Sequence, residues 1–204
     1  MTICLSEKTN SNCAMESVSS RSAVTNINDV IANDLSTANA QRAKQQVASQ
    51  FSRASQSYDQ AAHIQQFSAL ELAKQLAPFT QLSLTQPPQK SGLPHWLDLG
   101  CGTGFAVPTL IEQGIHRITG ADLAHGMSVT SHQKLAHLPF HSVTADAENL
   151  PFTSACFDGI YSNLMVQWSE QVQQLFSEAN RVLKPGGLFA FATLGPRTMH
   201  ELKS

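Results

Sequence analysis

From His95 onward the sequence alternates short β-rich runs with longer stretches of helical spacing, and no other feature limits the possible folds so strongly. His95–Leu99 reads as a strand, Phe105–Gln113 as a helix, Arg117–Ala121 as a strand and 125–137 as a helix. Phe140–Ala145 and Phe157–Ser162 read as further strands, Glu170–Leu183 as a helix and Leu188–Leu194 as a fifth strand. Strands that alternate with helices run parallel, because each return of the chain crosses the sheet as a helix. The expected architecture is an open α/β sheet with helices on both faces. Its ligands would lie outside the carboxyl ends of the strands, where strand order reverses.

The stretch HWLDLGCGTGF, His95 to Phe105, is one such carboxyl end. A P-loop would need Gly-Lys-Ser/Thr, yet Gly104 is followed by Phe105 and Ala106, so a triphosphate is excluded. The dinucleotide fingerprint is G-x-G-x-x-G, whereas Gly100, Gly102 and Gly104 are spaced G-x-G-x-G, with Asp98 two places before the first. This pattern suits a ligand whose adenosine and small charged end approach the backbone where a Cβ would collide, and whose cationic part benefits from a carboxylate.

Two more carboxylates occupy equivalent places. Asp122 closes the second strand in ITGAD, where an acidic side chain can accept both ribose hydroxyls; a plain turn aspartate is the alternative. Asp146, in TADAENLPF after the third strand, can accept from an adenine amino group or simply cap a turn.

Four segments follow from composition. Residues 1–44 are rich in Ser, Thr, Asn and Ala, which predicts a disordered N-terminal extension. Residues 45–77 show helical spacing of Val47, Phe51, Ala54, Tyr58 and Ala62, then of Ile64, Phe67, Leu70, Leu72 and Leu76, which predicts two helices with a break near Tyr58-Asp59. Residues 78–94, with QPPQKSGLP, read as a linker, and 95–204 as the ligand-binding core.

Thirteen Lys and Arg against fifteen Asp and Glu give a net charge of −2, which offers no basic stripe for nucleic acid. No apolar run has the length of a membrane span, and the N-terminus lacks the pattern of a secretory signal, so a cytoplasmic location is expected. Cys4, Cys13, Cys101 and Cys156 show no CxxC spacing. His132, His137 and His141 are close in sequence, but Pro139 separates them and no carboxylate partner accompanies them, so no metal site is expected.

LDLGCGTG, GADL, ADAENLPF, FDGIYSN and RVLKPGG, in this order, resemble the successive motifs of class I S-adenosylmethionine-dependent methyltransferases. VASQFSRASQSYDQAAHIQQ, SNLMVQW and FATLGPRTMHEL, flanking those motifs, are similar to the malonyl-acyl-carrier-protein O-methyltransferases of biotin synthesis, across nearly all of residues 45 to 204. The resemblance implies a Rossmann-like α/β methyltransferase sheet and S-adenosyl-L-methionine as cofactor. Its contacts would be Asp98, Gly100, Cys101, Gly102, Gly104, Asp122, Leu123, Asp146, Ala147 and Asn163. It also implies methylation of the free carboxyl of a malonyl thioester on an acyl-carrier protein, by a monomer.

A carboxylate with an ordinary pKa near 4 is already a nucleophile at neutral pH, so such a transfer requires positioning rather than a general base. Tyr58, Asn163 and Gln167 are the candidate positioning residues, although Tyr58 could equally be a core aromatic and the two amides local caps. The Asn/Asp-Pro-Pro-aromatic turn of nucleic-acid amino methylation is replaced by Asn163-Leu-Met-Val, which disfavours base methylation. A small-molecule or quinone methyltransferase would share every cofactor motif. In this class the sheet normally continues with a further helix and an antiparallel hairpin, so the chain is expected to be truncated after its fifth strand. FAFATL would then be an exposed apolar edge, and a non-catalytic cofactor-binding remnant is the alternative.

Overall fold

The computed structural model describes residues 2–8, 27–80 and 93–195. Its sheet has six strands: β1 (Thr2–Glu7), β2 (Trp96–Leu99), β3 (Ile118–Asp122), β4 (Phe140–Thr144), β5 (Phe157–Asn163) and β6 (Leu183–Thr193). They lie in the order β1-β6-β5-β2-β3-β4. All pairs are parallel except β1 with β6, so the sheet is mixed. The helices are α1 (Ile27–Ala54), α2 (Tyr58–Ala61), α3 (His63–Lys74), α4 (Val107–Glu112), α5 (His125–Lys134) and α6 (Val172–Val182).

Side-chain alternation along the strands explains the layers. Trp96 on β2 and Tyr161 on β5 join one core cluster with Leu72 and Leu76 of the α3 region and Val107 and Leu110 of α4. Leu97, Leu99 and Ile160 point to the opposite face, against Leu175, Ala179 and Val182 of α6. All four residues of β2 are buried, as befits a central strand covered on both faces. β2 pairs with β3 on one side and β5 on the other, so the strand order reverses there and opens a crevice at their carboxyl ends.

Three expectations need correction. The sheet does not end at β5, its fifth strand in chain order. β5 is followed by α6 and the eleven-residue β6, which extends the expected strand 188–194 back to Leu183. Nor is FAFATL a bare edge, because β1 pairs with it antiparallel from Thr2↔Thr193 to Glu7↔Leu188. The reason is non-local: six residues too few to fold alone satisfy their backbone on a strand 181 to 191 positions away. Lys8 seals this seam, its ammonium donating to the carbonyls of Asn180 and Leu183 at the end of α6 (2.7 and 2.8 Å).

Within the expected disordered extension 1–44, residues 2–7 are therefore strand, and α1 already runs from Ile27, a single 28-residue helix that crosses the boundary drawn at residue 45. Ala and Gln dominate this helix and favour it intrinsically, whatever their poverty in large apolar groups. The break after α1 falls at 55–57, where the Ser55 and Ser57 hydroxyls donate to the carbonyls of Ser52 and Ala54 and compete with the helical ladder. Residues 9–26, most of the expected linker (81–92) and 196–204 lie outside the described residues. Among the described residues, no helix is long and apolar enough to cross a membrane.

Candidate active site

One cavity lies at the carboxyl ends of the strands, covered by α1, α2 and α3. The glycine loop at the end of β2 shapes one wall. Gly100 and Cys101 donate their N–H groups to the Ala121 carbonyl, which ties the loop to β3. Gly100 has φ +76, and a Cβ there would collide with the Met165 side chain, so only glycine fits. Gly102 differs: a Cβ there would meet no protein atom within 4 Å, and its face is open to the cavity.

Asp98 sits on β2 at 2% exposure, and its Oδ2 is a buried side-chain oxygen without a hydrogen-bond partner. Burial, reinforced by the charge of Asp122, lifts its carboxyl to about 7. An orphaned carboxylate oxygen aimed at a cavity suits an ammonium group that arrives with the ligand. Asp122, at the end of β3, accepts the Ala124 and Gly102 N–H groups, one on each oxygen (2.8 Å each). Burial raises its carboxyl, and those two bonds act against the shift. Each oxygen keeps a lone pair for a hydroxyl donor.

At the end of β4, Asp146 Oδ1 accepts the Glu148 N–H (2.9 Å) and Oδ2 accepts from Lys44 of α1 (2.7 Å). The loop that carries them is held from α6. Glu178 accepts the Leu150 N–H at 2.8 Å, and Arg181, paired with Glu178, donates to the carbonyls of Phe152 and Leu150.

The three helices are fastened to four strand ends by polar bonds. Asp59 of α2 accepts from Thr103 of the glycine loop (2.6 Å) and from Lys134. Ser52 of α1 accepts the Gly126 N–H beyond β3, and a Cβ on Gly126 would lie 2.6 Å from the Ser52 carbonyl oxygen. Lys44 bridges Asp146 and Glu148 beyond β4. Asn163 at the end of β5 accepts from Ser68 (2.6 Å) and donates to the Gln65 carbonyl (2.9 Å), both on α3. Aromatic contacts add to this: Phe51 stands edge-on to Tyr58 and to Trp168, with centroids 5.9 and 5.4 Å apart.

Of the residues singled out in the sequence, Tyr58, Asp98, Gly100, Cys101, Gly102, Asp122, Leu123, Asp146, Ala147, Asn163 and Gln167 line this cavity. Gly104 does not; it turns the loop into α4, and a Cβ there would collide with Leu135. Asn163 spends its amide on α3, and Gln167 donates to the Leu164 carbonyl and accepts from Thr193. Tyr58 is partly buried, and burial with the charges of Asp122 and Asp59 raises its hydroxyl. Lys44, Asp59 and Glu148 escaped the sequence reading, although Glu148 stands inside the motif ADAENLPF. His132, His137 and His141 are all exposed, and among the described residues no three His, Cys, Asp or Glu side chains are grouped to hold a metal ion.

Residues 97–191 match the family model described as a methyltransferase domain. The chain is 41% identical over 171 residues to the biotin biosynthesis bifunctional protein BioHC of Saccharophagus degradans, covering 83% of this chain and 28% of that protein. It is 37% identical over 162 residues to the malonyl-[acyl-carrier protein] O-methyltransferase of Dechloromonas aromatica, covering 78% of this chain and 55% of that one. The chain thus spans about a quarter to a half of the length of these curated relatives. A crystal structure from Methanococcus maripaludis, described as an S-adenosyl-L-methionine-dependent methyltransferase, superposes with a TM-score of 0.55 at 20% identity, covering 70% of this chain and 63% of that one, and shows the shared fold.

The fold, the glycine cradle and the model matched over residues 97–191 make the chain similar to S-adenosylmethionine-dependent methyltransferases, and S-adenosylmethionine is the cofactor this likeness supports. The residues present suit that molecule: an orphaned carboxylate for its ammonium, a paired carboxylate for hydroxyls, and a loop open at Gly102. Within this class the chain is related to the malonyl-acyl-carrier-protein O-methyltransferases.

Proposed function

We propose that the protein methylates the free carboxyl of a malonyl thioester carried on an acyl-carrier protein. The observation that carries this reading is the reach of the similarity. The match to malonyl-[acyl-carrier protein] O-methyltransferases takes in 78–79% of the chain, well beyond the 97–191 segment matched by the general methyltransferase-domain model.

When bound, the cofactor supplies a sulfonium-activated methyl group. In this reading Asp98 holds its ammonium, Asp122 its ribose hydroxyls, and Asp146 with the Ala147 backbone its adenine edge. Gly100, Cys101 and Gly102 let the backbone approach, and Leu123 packs on the ligand. An acceptor carboxylate is ionised at neutral pH, so the chain is asked only to orient it and to keep water away. Tyr58 closes the acceptor side together with Phe51 and Trp168. Asn163 and Gln167 act through position, the first by seating α3 and the second by bracing the turn 164–168 against β6.

The test is an acceptor panel. Malonyl-carrier protein, malonyl-coenzyme A, and small phenolic or quinol acceptors are each incubated with labelled cofactor, and the products are treated with mild base. A base-labile methyl ester formed fastest on the malonyl-carrier protein supports the reading. Base-stable label on a phenol or quinol, with none on a malonyl group, favours a small-molecule methyltransferase.

A further inference from the structure

Among the described residues lining the cavity, Lys44 is the only basic side chain, against five carboxylates: Asp59, Asp98, Asp122, Asp146 and Glu148. Its ammonium does not point to open solvent. It lies 2.7 Å from Asp146 and 2.5 Å from Glu148, with 17% of the Lys44 side chain and 5% of the Glu148 side chain exposed. Both oxygens of Glu148 are in turn engaged: the other one accepts the Ser169 hydroxyl (2.7 Å) and the Gln171 N–H (3.0 Å). A single lysine on α1 thus joins the turn after β4 to the segment that leads into α6.

The consequence for Asp146 is geometric. One oxygen is fixed by the Glu148 N–H and the other by Lys44, so the carboxylate cannot rotate, and each oxygen keeps one lone pair. We propose that Lys44 is a positioning residue for base recognition: from α1 it aims the Asp146 carboxylate at the exocyclic amino group of adenine and couples the seating of that helix to the identity of the base. Lys44 touches neither the reacting methyl nor the acceptor. Without it, Asp146 gains a free rotor, Glu148 is left as a buried carboxylate without its counterion, and α1 loses its anchor beyond β4. The inference rests on the assignment of adenine to Asp146 made above.

The test uses equilibrium binding, not turnover. S-adenosylhomocysteine and S-inosylhomocysteine, in which the exocyclic amino group is replaced by oxygen, are titrated calorimetrically into the full chain. The wild type should favour the adenosyl ligand by about tenfold or more, the worth of one charge-assisted hydrogen bond. Lys44→Met should collapse that ratio towards unity, and Lys44→Arg should restore most of it. A Lys44→Met protein that binds both ligands more weakly with the ratio intact shows that the lysine only seats the helix, and overturns the proposal. Should Lys44→Met fail to fold, Glu148→Gln removes the other half of the bridge: a reduced ratio supports the proposal and an unchanged one contradicts it. Asp146→Ala separates the two levels. If it leaves the wild-type ratio unchanged, adenine is not read at Asp146 and the inference falls with that assignment; if it abolishes the ratio while Lys44→Met does not, only the role of Lys44 is lost.

Discussion

Asp98 and Asp122 line one cavity from neighbouring strands, and burial of Asp98, reinforced by the charge of Asp122, lifts the Asp98 carboxyl to about 7. In the unfolded chain the same group titrates near 4. A folded-state value above the unfolded one stabilises fully below the unfolded pKa, and that stabilisation is lost as pH rises through about 7. Asp98→Asn should therefore gain thermal stability over the ligand-free wild type as pH is raised from about 5 to about 8. A wild-type advantage that grows over this range would contradict the assignment. Binding of a cationic ligand needs the ionised form, so S-adenosylhomocysteine should expel a proton near pH 6, read as a buffer-dependent heat that Asp98→Asn abolishes.

Asp122 holds the loop as well as any ligand hydroxyl, since Gly102 and Ala124 both donate to it. Loss of one charge-assisted hydrogen bond costs about 1.5 to 3 kcal/mol, so Asp122→Ala should weaken cofactor binding at least about tenfold. Asp122→Asn, which keeps an acceptor oxygen but not the charge, should fall between the two. Equilibrium dialysis with labelled cofactor measures both, and unchanged affinity in Asp122→Ala would remove this residue from the site.

The glycines should separate stability from binding. Gly100→Ala meets the Met165 side chain at φ +76 and should unfold at lower denaturant than Gly102→Ala, which carries only the strain of φ +53, about 1–2 kcal/mol. Gly102→Ala projects its methyl into the space left for the ligand and should lose more affinity than stability. Urea titration and cofactor binding on the two variants decide it; a stable Gly102→Ala with full affinity would exclude close approach there.

What was legible in the sequence is what is local. The parallel strands, the glycine spacing and the acidic residues at strand ends follow from periodicity and turn chemistry within a few residues, and so Asp98, Asp122 and Asp146 stand out in the sequence itself. The contacts of α1 and α2 with the strand ends were not legible in this way. Lys44 and Asp59 are ordinary polar residues of helices until tertiary packing joins them to partners 102 and 44 positions away. β1 was hidden for the same reason: averaged over residues 1–44 its composition suggests disorder, and only the edge of β6 gives those six residues a partner.

That edge makes its own prediction. Removing residues 1–8 strips β6 of its antiparallel neighbour and α6 of the Lys8 cap, exposing an apolar ladder from Leu188 to Thr193. Light scattering at increasing concentration should show self-association of the shortened protein and not of the full chain. Equal behaviour of the two would mean that β1 contributes little to covering the edge.

Where the cofactor lies is the most direct test of these assignments. A crystal structure of the full chain with S-adenosylhomocysteine should show the ammonium on Asp98 Oδ2, the ribose hydroxyls on Asp122 and the adenine amino group on Asp146, beneath α1 with Lys44 still bridging Asp146 and Glu148. A ligand bound elsewhere, or in the cavity with its ends reversed, would contradict them.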